Sequence, residues 1–475
     1  MNLTLIKYTV SLFLVYPLSA LLFAIPNKQV KHLFNFLIGV AIVQWIYGPD
    51  WIHSFISSFV TYVLCALAPK KYQHYIVFFW VMGYMTGSHI YRMYVSYMSG
   101  IFDFTGTQMV LTMKLTSFAY NLFDGTADYK RVFPEKPYED KKKAKLYGDR
   151  KRFAITKLPN IIEYFGYVYC FSCILAGPTF EYKQYEATID GSAYKKPADL
   201  KDDAKKEKIP SRILPALQRL FMGVLCLVLY LQVNARFKVS HHCDPVYLAE
   251  HAPIWPRFLY LCIAMFGDRL KFYFAWKVAE GACVMAGFGF EGYDKDGKVK
   301  GWKGVENIDI VGFELATNLQ SISRNWNKGT QGWLERYTYN RTGRSLVATY
   351  VISALWHGLY PGFFMMFLTM PLMTNCERII RVKINPYFCD GYDGFNVSTY
   401  PKTLKATIYW HFCWMMTMAT MNYVVQVFSM GSLENSLNAL GSYHYVPHIA
   451  MFVLYVVLEL VPAPRKKKTD DKKTN

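Results

Sequence analysis

Three connecting stretches of this 475-residue chain, 47–53, 99–106 and 429–444, contain no lysine or arginine, although the chain carries 53 of them against 34 acidic residues. Basic charge distributed this unevenly follows membrane sidedness. The stretches without it belong across the membrane, and the crowded ones, 129–158, 183–212 and the tail PRKKKTDDKKTN, belong to the cytosol. The net charge of +19 is therefore a feature of topology, and no nucleic-acid partner is expected. A glycine-rich phosphate loop is lacking, which leaves ATP-driven chemistry unsupported. No internal repeat is visible, and a transporter or scramblase with inverted halves would show one. The ten cysteines are scattered singly, mostly within apolar runs. CFSC, residues 170–173, has the spacing of a redox pair but no thioredoxin-like strand–helix pattern around it, so it reads as core packing. HHCD, residues 241–244, resembles metal ligands but lacks a second cluster at matching spacing. No metal site is expected.

Apolar length is what the chain has in abundance. Hydrophobic residues make up 53% of it and aromatics 17%. Runs near the ~20 residues that span a bilayer recur at 8–26, 33–47, 51–68, 75–98, 213–233, 406–428 and 445–461. The expectation is an all-α polytopic membrane protein of about ten or eleven spans. It forms a single domain over 1–462, followed by a basic cytosolic tail, 463–475. The first run has only Lys7 as its charged region and is followed directly by others, so it reads as a retained span rather than a signal peptide. Residues 161–180 are apolar with basic flanks on both sides, so they dip in and return or lie along the interface. The stretch 256–290 is one tilted helix or two short crossings. The tail ends in KKTN. Its Lys472 and Lys473 resemble a dilysine retrieval signal, which points to the endoplasmic reticulum membrane.

Within SALWHGLYPGFFMMFL, residues 353–368, lies His357, flanked by Trp356 and Gly358. A helix starting at Ser345 rises ~18 Å over twelve residues. That puts His357 near the bilayer midplane, where Gly358, Pro361 and Gly362 interrupt the helix. Broken backbone at that depth needs protein or water around it, so an internal cavity is expected. Ionisable groups there mark functional paths. The plainer alternative is a core imidazole bonded to a neighbouring carbonyl. Upstream, SRNWNKGTQGWLERYTYNR places Trp326, Trp333, Leu334 and Tyr337 at helical spacing among polar Asn327, Lys328, Glu335 and Arg336. On its own this reads as an amphipathic helix at the membrane surface.

Taken together, WNKGTQGWLERYTY (326–339) and ALWHGLYPGFF (354–364) resemble the membrane-bound O-acyltransferase (MBOAT) family, and within it the branch that acylates lysophospholipids. QMVLTMKLTSFAYNLFDG (108–125), LPNIIEYFGYVYCFSCILAGPTFEYKQY (158–185) and RLKFYFAWKVAEGACVMAGFGF (269–290) add to the resemblance. It covers roughly 100–375. The interval from Asn327 to His357 is several residues shorter than in some relatives, which puts the loop 341–344 in doubt. The resemblance implies re-entrant and broken helices around an internal reaction chamber. It also implies transfer of an acyl chain from acyl-CoA, a substrate rather than a cofactor, to the free hydroxyl of a lysophospholipid. Other acceptors in the family would be a sterol, diacylglycerol or a peptide. His357 would be the general base. Asn327 would donate to the oxyanion or orient the acceptor. Trp326, Trp333, Tyr337, Trp356 and Arg336 are the expected substrate-binding residues. Arg341 and Arg344 are further candidates for the phosphates of coenzyme A. Headgroup preference and oligomeric state are not legible.

Overall fold

The computed structural model describes residues 3–100, 102–196, 209–251, 253–388 and 403–462. The Lys472–Lys473 pair lies outside them. The described residues are helical, and their one isolated pairing of extended backbone is the bridge between Tyr293 and Val299. Helices α1 (Leu3–Ala24), α2 (Lys28–Tyr47), α3 (Trp51–Leu67) and α4 (Gln73–Ser96) follow the first four apolar runs. They are followed by α5 (Thr105–Gly125), α6 (Tyr129–Val132), α7 (Lys141–Phe153), α8 (Ile161–Val168), α9 (Tyr182–Ile189), α10 (Ile213–Arg236), α11 (Pro245–Glu250) and α12 (Ile254–Met285). Then come α13 (Ile310–Glu314), α14 (Leu319–Asn325), α15 (Lys328–Tyr337), α16 (Leu346–His357), α17 (Pro361–Lys383), α18 (Asn385–Phe388), α19 (Leu404–Met430), α20 (Leu433–Gly441) and α21 (Val446–Leu460). The stretch 256–290 is thus mostly one continuous helix, α12.

Local chemistry sets the ends. The Asn27 side chain accepts from the N–H groups of Gln29 and Val30 to open α2, and Asn160 and Glu163 form a capping box on α8. Ser345 caps α16 through the N–H of Ala348. Gly358 ends that helix at φ 131, a backbone region closed to residues with a Cβ. Pro361 then opens α17, where its missing N–H costs nothing.

Among the described residues, three helices or helical runs are long and apolar enough to cross a membrane: Leu3–Ala24, Lys28–Leu67 and Ile213–Cys243. The pair Leu433–Gly441 and Val446–Leu460, bent by 74°, would make a fourth. Composition alone thus marks fewer crossings than the ten or eleven expected. Helices α4, α5, α12, α17 and α19 run 24, 21, 32, 23 and 27 residues but carry more polar groups.

The chain forms two compact units, each drawn from three separate stretches. One comprises Met1–Phe237, Phe266–Asp309 and Trp326–Leu359. The other comprises Lys238–Met265, Ile310–Asn325 and Tyr360–Asn475. In the first, α5 is buried on nearly every side, including Gln108, Thr112, Lys114, Thr116, Asn121 and Asp124. Its polar groups face protein and are spent on partners there. Most of the stretch 161–180 is buried as well, after the exposed Ile161 and Ile162. After α8 the chain turns tightly, with Tyr164, Tyr167, Tyr169, Cys170, Phe171 and Cys173 inaccessible. The stretch enters the protein, packs on α2 and α9, and turns back. Lys114 Nζ donates to the carbonyls of Tyr167 (2.5 Å) and Val168 (3.2 Å) at the end of α8. Cys170 and Cys173 are buried free thiols in this turn.

The second unit is centred on α17, which packs on α19 and α21. Its HHCD stretch spends both imidazoles on the protein. His242 Nε2 donates to the Arg257 carbonyl (3.1 Å), and His241 Nδ1 bonds the Tyr260 hydroxyl (2.8 Å).

Candidate active site

Asn327 and His357 both belong to the first unit. His357 is the last residue of α16 and is half-buried. Its Nδ1 lies 2.7 Å from the Ser353 carbonyl. A carbonyl only accepts, so Nδ1 carries the proton, and the basic lone pair of the neutral ring sits on Nε2. The Trp356 ring stands edge-on to the imidazole at 4.6 Å. Trp356 is itself pinned twice. Its Nε1–H donates to the Met109 carbonyl of α5 (2.9 Å), and its own carbonyl accepts from His89 Nε2–H of α4 (3.1 Å).

Asn327 occupies the N-cap position of α15 with φ 43 and ψ 55. This left-handed conformation is one that asparagine tolerates better than most residues. Trp326 beside it is held edge-on among Trp276 (4.9 Å), Phe272 (5.8 Å) and Tyr273 (6.0 Å) of α12. That is the RLKFYFAWK stretch, so two of the sequence blocks meet here.

Helix α15 is amphipathic as expected, but its apolar face does not lie on lipid. Trp333, Leu334 and Tyr337 are buried in one cluster with Met82, Met113, Tyr120 and Trp356. Trp333 Nε1 donates to Thr116 Oγ1 and the Tyr337 hydroxyl to Asn121 Oδ1, both at 2.9 Å. The reading of a membrane-surface anchor is corrected accordingly. Periodicity shows that a face is apolar, and here the neighbouring helix α5 covers it. The same cluster joins the two sequence motifs, because the Trp333 and Trp356 rings lie 6.0 Å apart.

Arg336 Nη2 is ion-paired with Glu181 Oε1 at 2.9 Å. Burial opposes its charge, but Glu181 outweighs that, and the pKa stands above the ordinary arginine value. Arg341 Nη2 pairs with Asp124 (2.6 Å), and Arg150 bonds both Asp124 and Asp128. These groups border a cleft of about 270 Å³, open solvent included, lined by Asn121, Asp124, Arg150, Arg336, Tyr337 and Arg341. Carboxylates already answer each guanidinium, so the cleft is not a simple cationic socket. Arg344 is exposed in the loop that follows, at φ 68.

Sequence reading missed several groups. His89 gives the signal that singled out His357, an imidazole within an apolar run. Lys277 and Glu280 stand three apart within another apolar stretch, and Glu280 is fully buried. Asn307 carried no local signal.

The profile of MBOAT, the membrane-bound O-acyltransferase family, matches residues 89–426. The chain belongs to the membrane-bound O-acyltransferase family. It is 31% identical over 452 residues to membrane-bound glycerophospholipid O-acyltransferase 2 of Rattus norvegicus, covering 94% of this chain and 82% of that protein. It is 29% identical over 469 residues to the lysophospholipid acyltransferase of Schizosaccharomyces pombe, covering 96% and 86%. A lysophospholipid acyltransferase of Saccharomyces cerevisiae is 28% identical over 465 residues, 94% and 72%. The chain is thus a multi-pass membrane O-acyltransferase. The matched span takes in Trp326–Tyr339 and His357 as well as the α5, 158–185 and α12 blocks.

Proposed function

We propose that this chain is a lysophospholipid acyltransferase that takes its acyl group from acyl-CoA, with His357 as the general base and Asn327 as a substrate-facing amide. The observation that carries the reading is the tautomer of His357. The Ser353 carbonyl fixes the proton on Nδ1 and leaves Nε2 as the basic atom. Nε2 accepts the proton of the lysophospholipid hydroxyl as its oxygen attacks the thioester carbonyl. The tetrahedral oxyanion collapses, the C–S bond breaks, and the imidazolium returns its proton to the departing coenzyme A sulfur. The products are a diacyl phospholipid and free coenzyme A, and no covalent enzyme intermediate is needed. General-base assistance of this kind is worth ~10²–10⁴-fold. An amide donor on an oxyanion contributes about 2.7–4 kcal/mol where such a donor has been removed elsewhere. Asn327 serves in that role or orients the acceptor. Trp326 and Trp356 would shape the walls on either side. The names of the relatives and the family membership support the acceptor class.

The test is thiol release from one acyl-CoA by purified protein across lysophospholipids with choline, ethanolamine, serine and inositol headgroups. Acceptor-dependent release is the expected result. Well-folded protein that releases nothing across the panel, but does so with a sterol, diacylglycerol or a peptide, would move the chain to another acceptor. The compartment proposed is the endoplasmic reticulum membrane, supported by Lys472 and Lys473 in the basic tail. Changing both to Ser should let part of the protein leave that membrane, as seen by fluorescence imaging of a tagged chain.

A further inference from the structure

Asn327 sits where a capping residue belongs but does not cap. Its side chain makes no cap hydrogen bond to α15. Elsewhere in the chain, asparagines at this position do what asparagines usually do: Asn27 and Asn160 each accept from two backbone N–H groups of the helix they open. The start of α15 is satisfied from outside instead. The Asn307 carbonyl accepts from the Lys328 N–H (2.8 Å), and Asn307 Oδ1 accepts from the Gly329 N–H (3.0 Å). Asn307 is buried and is held in turn. Glu280 Oε1 accepts from the N–H groups of Asn307 (2.8 Å) and Ile308 (3.1 Å). Glu280 Oε2 is bonded by Lys277 Nζ (2.8 Å), and Lys277 also donates to the Ile308 carbonyl (2.6 Å). The approach is close. A Cβ on Gly329 would lie 2.8 Å from Thr179 Oγ1 and 3.1 Å from Asn307 Oδ1.

We propose that Asn307, anchored by Glu280, is a positioning residue that caps α15 in place of Asn327 and thereby keeps the Asn327 amide turned to the substrate. The proposal rests on the reading of Asn327 given above. Without the Asn307 side chain, the opened Gly329 N–H competes for the Asn327 side-chain oxygen and draws the amide into the ordinary capping role. Asn307 touches no reacting atom in this scheme and acts only through Asn327.

The experiment compares purified full-length Asn307→Ala and Asn307→Asp, each alone and combined with Asn327→Ala, by acceptor-dependent thiol release and by thermal unfolding. Asn307→Ala should lose at least tenfold in rate, divided between kcat and KM in the way that Asn327→Ala divides its own loss. Asn307→Asp should stay within about threefold of wild type, because it keeps the acceptor oxygen and a helix N-terminus favours its charge. In the Asn327→Ala background, Asn307→Ala should cost less than a further twofold. Gly329→Ala, which crowds Oδ1 without deleting it, should show the same kinetic pattern and stands in if Asn307→Ala does not fold. The proposal is overturned by a loss that adds fully to that of Asn327→Ala, by equal losses in Asn307→Ala and Asn307→Asp, or by wild-type rates in both Asn307→Ala and Gly329→Ala. If Asn327→Ala leaves no measurable rate, the Ala-versus-Asp comparison decides. Wild-type turnover in Asn327→Ala would remove the role of Asn327 itself, an outcome separate from failure of the capping arrangement.

Discussion

The Trp356–His357 pair is held by one group distant in sequence and one a single helical turn away. His89 donates to the Trp356 carbonyl, and Ser353 accepts from His357 Nδ1. His357→Ala should abolish thiol release while the protein still purifies and melts as wild type does, since a half-buried imidazole supports less packing than a core residue. Turnover near wild type in that variant would remove the general-base role. His89 does not need to be a base to matter. His89→Gln keeps an N–H for the Trp356 carbonyl and should retain most activity, whereas His89→Ala leaves that carbonyl without its His89 donor and should lower kcat roughly tenfold, a fraction of the ~10²–10⁴-fold that general-base help is worth. Equal kcat in the two variants would show that the hydrogen bond is immaterial. Asn327→Ala should lower kcat and kcat/KM together if the amide serves the transition state alone. It should raise KM for the lysophospholipid at steady kcat if the amide binds the acceptor equally in both states. Of these residues, His357 and Asn327 became candidates from sequence because each is a polar side chain in a recognisable motif. Asn307 did not, because its role depends on a helix that starts only at Lys328.

Between elements, the decisive packing is α15 against α5. Trp333→Phe removes the hydrogen bond to Thr116 and some ring volume. Thr116 keeps its own bond to the Thr112 carbonyl, so the lost hydrogen bond should cost about 0.5–1.5 kcal/mol, read as a lower melting temperature. Asp124→Asn is the more severe change. Asp124 is 1% exposed and answers both Arg150 and Arg341. Leaving those guanidiniums without their carboxylate should cost about 3–5 kcal/mol. An unchanged melting temperature would mean that Asp128 and solvent suffice. The helices themselves were largely legible: the apolar runs at 51–68 and 213–233 correspond to Trp51–Leu67 and Ile213–Arg236. Helix α5 was legible only as a motif, because burial within protein lets a helix be polar on every face. The amphipathic pattern of α15 was read correctly as a pattern and wrongly as a lipid contact. Hydrophobic spacing reports that a face needs cover, and long-range packing decides what provides it.

At the scale of the chain, the two units are interleaved, which no local pattern announces. The first unit is left at Phe237, re-entered at Phe266 and again at Trp326. Thr116 and Asn121 of α5 receive Trp333 and Tyr337, and Asp124 receives Arg341, from 216 or 217 residues further along. A ribosome adding about 5–20 residues per second needs about 10–40 seconds to cover that distance. Throughout that interval α5 is already made, and a hydroxyl, a carboxamide and a carboxylate on it still lack these partners. The nascent enzyme therefore passes through a stage in which the buried polar groups of α5 must be sheltered by the insertion machinery, by water, or by a companion in the membrane. Whatever slows the arrival of the segment that carries Asn327 and His357 lengthens the exposure of the helix against which that segment will dock.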